Sequence, residues 1–213
     1  MTRLGDALRR WREEQPERAV IEITDSGVYV EPVRVELAEG QELVLRAANR
    51  TRPVLRLLDW QTSFPDSLSV VGAAGSRFAL DGLLVAGRGM QVEGPLAGLR
   101  LHHSTLVPGW MIGPDCTPQR PAEPSLELID TNARVCIRAS ILGSIQVNRD
   151  EVQSEPIRIE LIDSVLDATS VEREALGAPG WPRAHATLTA QDSTVIGQVL
   201  AHAIELAENT IFM

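Results

Sequence analysis

The sequence predicts an all-β fold, a single-stranded solenoid of stacked parallel coils with one short α-helix at its start. Three observations carry this. Hydrophobic residues make up 44% of the 213 residues but aromatic residues only 4%, so aliphatic Val, Ile and Leu must build the core. Those side chains suit the pleated surface of strands. Short stretches of period-two alternation recur throughout, divided by turn residues drawn from sixteen glycines, thirteen prolines and many Asp, Asn and Ser. A specific unit of serine flanked by apolar residues then repeats through the second half of the chain.

The first element is the exception. Leu4, Leu8 and Trp11 fall on one side at helical spacing, with Arg and Glu elsewhere, and Pro16 ends the pattern. Residues 1–18 therefore read as a helical cap lying on the domain or docking a partner. Residues 19–213 read as one solenoid domain. Its first strands are "VIEI", "VYVE", "VRVEL" and "ELVLRAA", separated by Asp25-Ser26-Gly27, Glu39-Gly40 and Asn49-Arg50.

From Phe78 the unit can be written as apolar, any, apolar, any, any, small polar, apolar, apolar. Leu99, Leu101, Ser104, Thr105 and Leu106 fit it. Copies follow at Ile137-x-x-Ser140, Leu161-x-x-Ser164, Ala190-x-x-Ser193 and Leu206-x-x-Asn209, with a partial copy at Leu126, Leu128 and Thr131. Phe78 to Val85 is an early copy with leucine at the polar position. A repeat that cannot bury its own apolar face is stabilised by stacking on its neighbours. Ser, Thr and Asn at one register then form an internal polar ladder that satisfies turn backbone groups.

The coil sequence "RFALDGLLVAG" resembles that of right-handed parallel β-helices of the pectin-lyase-like superfamily. "GVYVEPVRVELAEGQELVLRAANRTRPVL" resembles the opening segment of such domains. The similarity runs from about Ala19 to Met213. The resemblance implies a right-handed parallel β-helix. For activity it implies a choice: polysaccharide lyases and hydrolases share the superfamily with non-catalytic spikes, adhesins and parts of phage-tail-like machines. Fold alone does not decide between them.

The histidine pair in "LRLHHSTLVPG" invites a catalytic reading. On the repeat, however, His102 and His103 occupy variable positions whose equivalents are Arg138-Ala139, Ile162-Asp163 and Gln191-Asp192. Ser104 recurs as Ser140, Ser164 and Ser193, so stacking explains it. No catalytic residue, metal ligand set or cofactor is assigned. The carboxylates Asp130, Asp163, Asp192 and Glu208 precede polar positions of the repeat, and stacking is expected to bring some of them together in a row on one edge. The row is a solvated turn edge, a calcium-binding row, or the aspartate-lined face of a carbohydrate-active lyase or hydrolase. The Asp-and-Arg signature of the superfamily's calcium-dependent lyases has no match here.

Two stretches interrupt the coils, 108–124 and 168–184, and each contains Pro-Gly-Trp. Insertions in repeat proteins gather on a binding face. Both are expected to leave the same edge of the solenoid and to hold a protein partner or a glycan. Trp110 and Trp181 are the candidate anchors, with Asp115, Arg120, Glu172 and Arg173 at the rim. Alternatively, each Trp folds back and anchors its own loop. Cys116 lies in the first stretch and Cys136 on an outward strand position. They are either bridged or free.

Charge narrows the partners. Twenty basic residues, all arginine, oppose twenty-nine acidic ones, a net charge of -9. This speaks against nucleic acid, which needs a basic face. The absence of lysine excludes Schiff-base chemistry on a lysine. The start of the chain lacks a signal-peptide apolar core, so synthesis in the cytoplasm is expected with the destination open. No run approaches membrane-spanning length. "AIELAENTIFM" leaves a coil edge without a polar cap, which predicts that the domain is a fragment of a longer protein or that another chain covers that end, with end-to-end self-association as a further expectation. The leading functional expectation is a non-catalytic structural or binding module of a larger assembly.

Overall fold

The computed structural model describes residues 4–57, 67–148 and 155–213, so residues 1–3 of the expected cap lie outside the described residues. Helix α1 (Leu4–Glu14) buries Leu4, Leu8 and Trp11. Burial of each contributes about 1.5–3 kcal/mol. Its first turn is held from a distance. The two carboxylate oxygens of Glu31 accept the backbone N–H groups of Leu4 (3.1 Å) and Gly5 (3.0 Å), donors that a helix start cannot satisfy internally.

The rest is a parallel β-helix. Coil 1 comprises β1 (Arg18–Ile23), β2 (Val28–Tyr29) and β3 (Val33–Leu37), and coil 2 comprises β4 (Glu42–Ala47), β5 (Val54–Leu57) and β6 (Leu68–Gly72). Coil 3 runs through β7 (Arg77–Asp81), β8 (Leu84–Gly87) and β9 (Met90–Glu93). Coil 4 is β10 (Gly98–His102), β11 (Thr105–Leu106) and β12 (Leu126–Ile129), and coil 5 is β13 (Arg134–Arg138), β14 (Ile141–Leu142) and β15 (Ile145–Asn148). Coil 6 is β16 (Ile157–Ile162), β17 (Val165–Asp167) and β18 (Glu174–Gly177). Coil 7 is β19 (Ala184–Gln191), β20 (Thr194–Ile196) and β21 (Gln198–Val199), and β22 (Ala201–Glu208) and β23 (Ile211–Phe212) begin coil 8.

Every third strand pairs in parallel with its counterpart, giving a first and a second sheet of eight strands and a third of seven. Alternation sends every second side chain inward. In the first sheet Leu43, Phe78, Leu99, Val135, Ile159 and Leu188 stack in one column, and all are buried.

The serine ladder takes a defined form. Each serine hydroxyl donates to the carbonyl two residues earlier: Ser104 to His102 (2.7 Å), Ser140 to Arg138 (2.8 Å), Ser164 to Ile162 (2.7 Å) and Ser193 to Gln191 (2.6 Å). The same oxygen accepts the ladder N–H of the preceding coil. Ser104 N–H bonds Ser140, Ser140 N–H bonds Ser164, and Ser164 N–H bonds Ser193, each at 3.1 Å. Just before each serine the backbone turns through positive φ, at His103 (47°), Ala139 (48°), Asp163 (50°) and Asp192 (50°). Asp and His tolerate that region better than most residues. His103 is thus a corner residue of the coil.

Three expectations are corrected. Each coil has three strands, so Leu126 and Leu128 are not a partial copy of the Ser104 unit. They sit in the third sheet, paired with Met90 and Val92. In coil 8 a bulge near Leu188/Thr189 adds one residue and brings Ala207 opposite Ala190. The ladder residue there is Thr210, whose hydroxyl donates to Glu208 O at 2.9 Å, and Asn209 takes the positive-φ corner (47°). The stretch 168–184 is not one loop. Residues 174–177 form β18, hydrogen-bonded between β15 and β21. Its apolar residues, Ala175 and Leu176, are too few to show alternation by themselves.

The two ends differ. Helix α1 lies against β1. Coil 8 has no described coil stacked on it, and Ile204, Leu206, Ile211, Phe212 and Met213 are exposed. No helix among the described residues is long and apolar enough to cross a membrane.

Candidate functional site

The stretch 108–124 leaves the corner between the second and third sheets in coil 4 and folds on itself. Ile112 and Pro118 form an antiparallel bridge. Gly113 N–H bonds Thr117 O (2.8 Å), and Arg120 N–H bonds Gly109 O (3.0 Å). Asp115 accepts the Thr117 hydroxyl (2.8 Å) and backbone N–H (3.2 Å), and these bonds hold its carboxyl below the usual range. Trp110 is half-buried at φ 68°, and its indole N–H donates to Pro124 O at 3.3 Å, across its own loop. Arg120 is exposed.

In coil 6 the same corner carries residues 168–173. The Thr169 hydroxyl donates to Pro121 O at 3.2 Å, which joins the two loops across the tight corner of coil 5. That corner is kept low by Gly143, where a Cβ would lie 2.3 Å from the Ser125 hydroxyl. The guanidinium of Arg173 is turned into this loop, bonding the Thr169 hydroxyl at 2.9 Å. Glu172 is exposed, as are Val171 and Ile112. Trp181 belongs elsewhere. It is 63% exposed, in the turn that leads from β18 in the third sheet to β19 in the first. The structure therefore brings 108–124 and 168–173 together at one corner and puts Trp181 at another. The expected common edge for both Pro-Gly-Trp stretches does not hold, because β18 lies between them.

Comparison of the chain with family models, with curated proteins and with solved structures gives no match.

The other sequence candidates separate clearly. Ser104 is buried in the ladder and bonds no imidazole. His103 Nδ1 lies 2.9 Å from Asp81, and burial lowers the pKa of His102. His185 and His202 stack edge-on at 5.9 Å on neighbouring coils. No group of three or more His, Cys, Asp or Glu among the described residues could hold a metal ion. Cys116 and Cys136 are both free thiols, and burial raises the pKa of Cys136.

One constellation escaped the sequence reading. The outer face of the first sheet carries Arg77, Arg100 and Arg134 around a groove of about 330 Å³, with Glu42 and Glu160 also lining it. The three arginines are separated by 23 and 34 positions, so no dense arginine cluster shows along the chain. The outward positions of the repeat, read down the coils rather than along them, are the signal that finds them.

Proposed function

We propose that this chain is a non-catalytic binding module of a larger assembly, built on a β-helix of the pectin-lyase-like kind with the right-handed coil of that superfamily. Its contact surface is the corner where the loops of coils 4 and 6 join. The observation that carries this reading is the Thr169–Pro121 bond across coil 5. It joins two segments from different coils, which carry the exposed apolar Ile112 and Val171 and the exposed charged Asp115, Arg120 and Glu172. Exposed apolar residues on segments that also carry charge suit a protein partner. Trp110 anchors the surface from below, Arg173 pins its second loop, and Trp181 offers a separate contact at the next corner. The strand edges of coil 8, on which no described coil stacks, suit attachment of the module within an assembly, end-to-end association included.

The test compares chemical cross-linking capture by the wild-type chain and by the double variant Ile112→Glu, Val171→Glu. A protein captured by the wild type and lost from a variant of unchanged melting temperature supports the corner surface. Equal capture by both chains overturns it. Steady release of unsaturated or reducing sugar ends from polysaccharide substrates by the wild-type chain overturns the non-catalytic reading. Concentration-dependent light scattering tests the coil 8 edge, and scattering that stays flat with concentration removes self-association.

A further inference from the structure

We infer that the outer face of the first sheet holds a socket for a phosphoryl dianion, centred on Gly98. The register places Gly98 beside Arg77 of the coil before and Arg134 of the coil after. Each is about 4.8 Å away along the coil axis. Arg100 lies two residues along the same strand and on the same face, about 6.6 Å away. Three guanidinium-bearing positions thus surround one that has no side chain. The diagonal neighbour Ala79 is also small and lines the floor.

The backbone does not demand this glycine. Gly98 is absent from the positive-φ residues. A Cβ there would meet only Arg134 O at 3.8 Å and Arg77 Cγ at 3.9 Å, ordinary contact distances. Glycine inside a strand weakens it, and such a position marks the close approach of a ligand or another backbone. The missing side chain leaves the space between the arginines open.

The charges fix the ligand class. Glu160 pairs with Arg134, and Glu42 lies 3.8 Å from Arg18. Arg77 and Arg100 have no ion-pair partner among the described residues. The groove therefore carries three guanidinium groups against two carboxylates, with Arg77 and Arg100 outside any ion pair among the described residues, on a face of an otherwise acidic protein. Two guanidinium forks match the charge and geometry of a phosphate dianion better than those of a single carboxylate. The same chemistry is offered by free phosphate and by a phosphate monoester.

The test is isothermal titration of the full chain with inorganic phosphate, O-phosphoserine and acetate at constant ionic strength. Saturable phosphate binding with a dissociation constant on the order of 1 mM is expected, with acetate at least about tenfold weaker. Binding should strengthen as pH rises through the second phosphate ionisation, near about pH 6 for an ester. Gly98→Val fills the socket with a residue that strands favour, and should abolish binding without lowering the melting temperature. Arg100→Gln should weaken binding at least about tenfold, and it serves independently if the valine variant folds poorly. Phosphoserine binding like phosphate identifies an ester ligand, and phosphate binding alone identifies the free ion. Either outcome supports the socket. Absence of saturation up to about 10 mM, acetate equal to phosphate, or unchanged binding in Arg100→Gln overturns it.

Discussion

Replacing Ser140 by alanine tests the ladder on which the coil stacking rests. Ser140 is 3% exposed. Its hydroxyl gives a proton to Arg138 O (2.8 Å) and takes one from Ser104 N–H (3.1 Å). The two partners do not lose equally in the variant. Arg138 O still accepts His103 N–H at 3.1 Å, whereas the buried Ser104 N–H has no substitute acceptor. One buried orphan donor costs about 1–3 kcal/mol, and the expected destabilisation lies in that range. Thr210→Ala is the control. Thr210 makes the same local bond to Glu208 O but is only half-buried, so water can replace the hydroxyl and its loss should cost under about 0.5 kcal/mol. Urea titration followed by tryptophan fluorescence reads both values. Amide hydrogen exchange adds direction: Ser140→Ala should expose the amide of Ser104, and Ser164→Ala that of Ser140. Equal costs for Ser140→Ala and Thr210→Ala, or an unchanged Ser104 amide, would refute the ladder as a stabilising device.

Glu31→Ala removes the distant cap of α1 and should cost about 1 kcal/mol, with faster amide exchange confined to Leu4 and Gly5 at first. Gly87→Ala should be far more severe, at least about 2 kcal/mol, because φ is +104° and the new Cβ would lie 1.8 Å from Leu57 O. Burial depresses the His102 pKa below its ordinary 6.5. The folded state therefore binds this proton less readily than the unfolded chain, and stability present above pH 6.5 is lost as pH falls through the folded-state value. Urea midpoints measured between about pH 5 and pH 8 should show that loss, and His102→Gln should reduce it.

Much of the molecule was legible in one dimension. Leu4, Leu8 and Trp11 announce the helix because 3.6-residue spacing leaves a clear apolar stripe. Ser104, Ser140, Ser164 and Ser193 announce the coils because each needs the same neighbours, two inward apolar residues before it and one after. The register of the last coil is hidden in the sequence because a bulge leaves no mark in "AIELAENT": Leu206-x-x-Asn209 and Ala207-x-x-Thr210 satisfy the same pattern. Strand β18 was hidden inside a loop because "EALG" is short and only its hydrogen bonds to β15 and β21 make it a strand.

The order of apolar and polar residues along the chain by itself determined the strand periodicity, the inward columns, the ladder serines and the capping helix. These are local consequences of which side chains must leave water. Tertiary structure alone decided that three sheets close each coil, that the loops of coils 4 and 6 meet across coil 5, that Trp181 stands at a different corner from Trp110, and that Arg77, Arg100 and Arg134 surround Gly98. The physical reason is that neighbours across coils are set by the number of residues in each turn of the solenoid. Insertions vary that number from coil to coil, so contacts between coils follow from backbone pairing and not from any fixed spacing in the sequence.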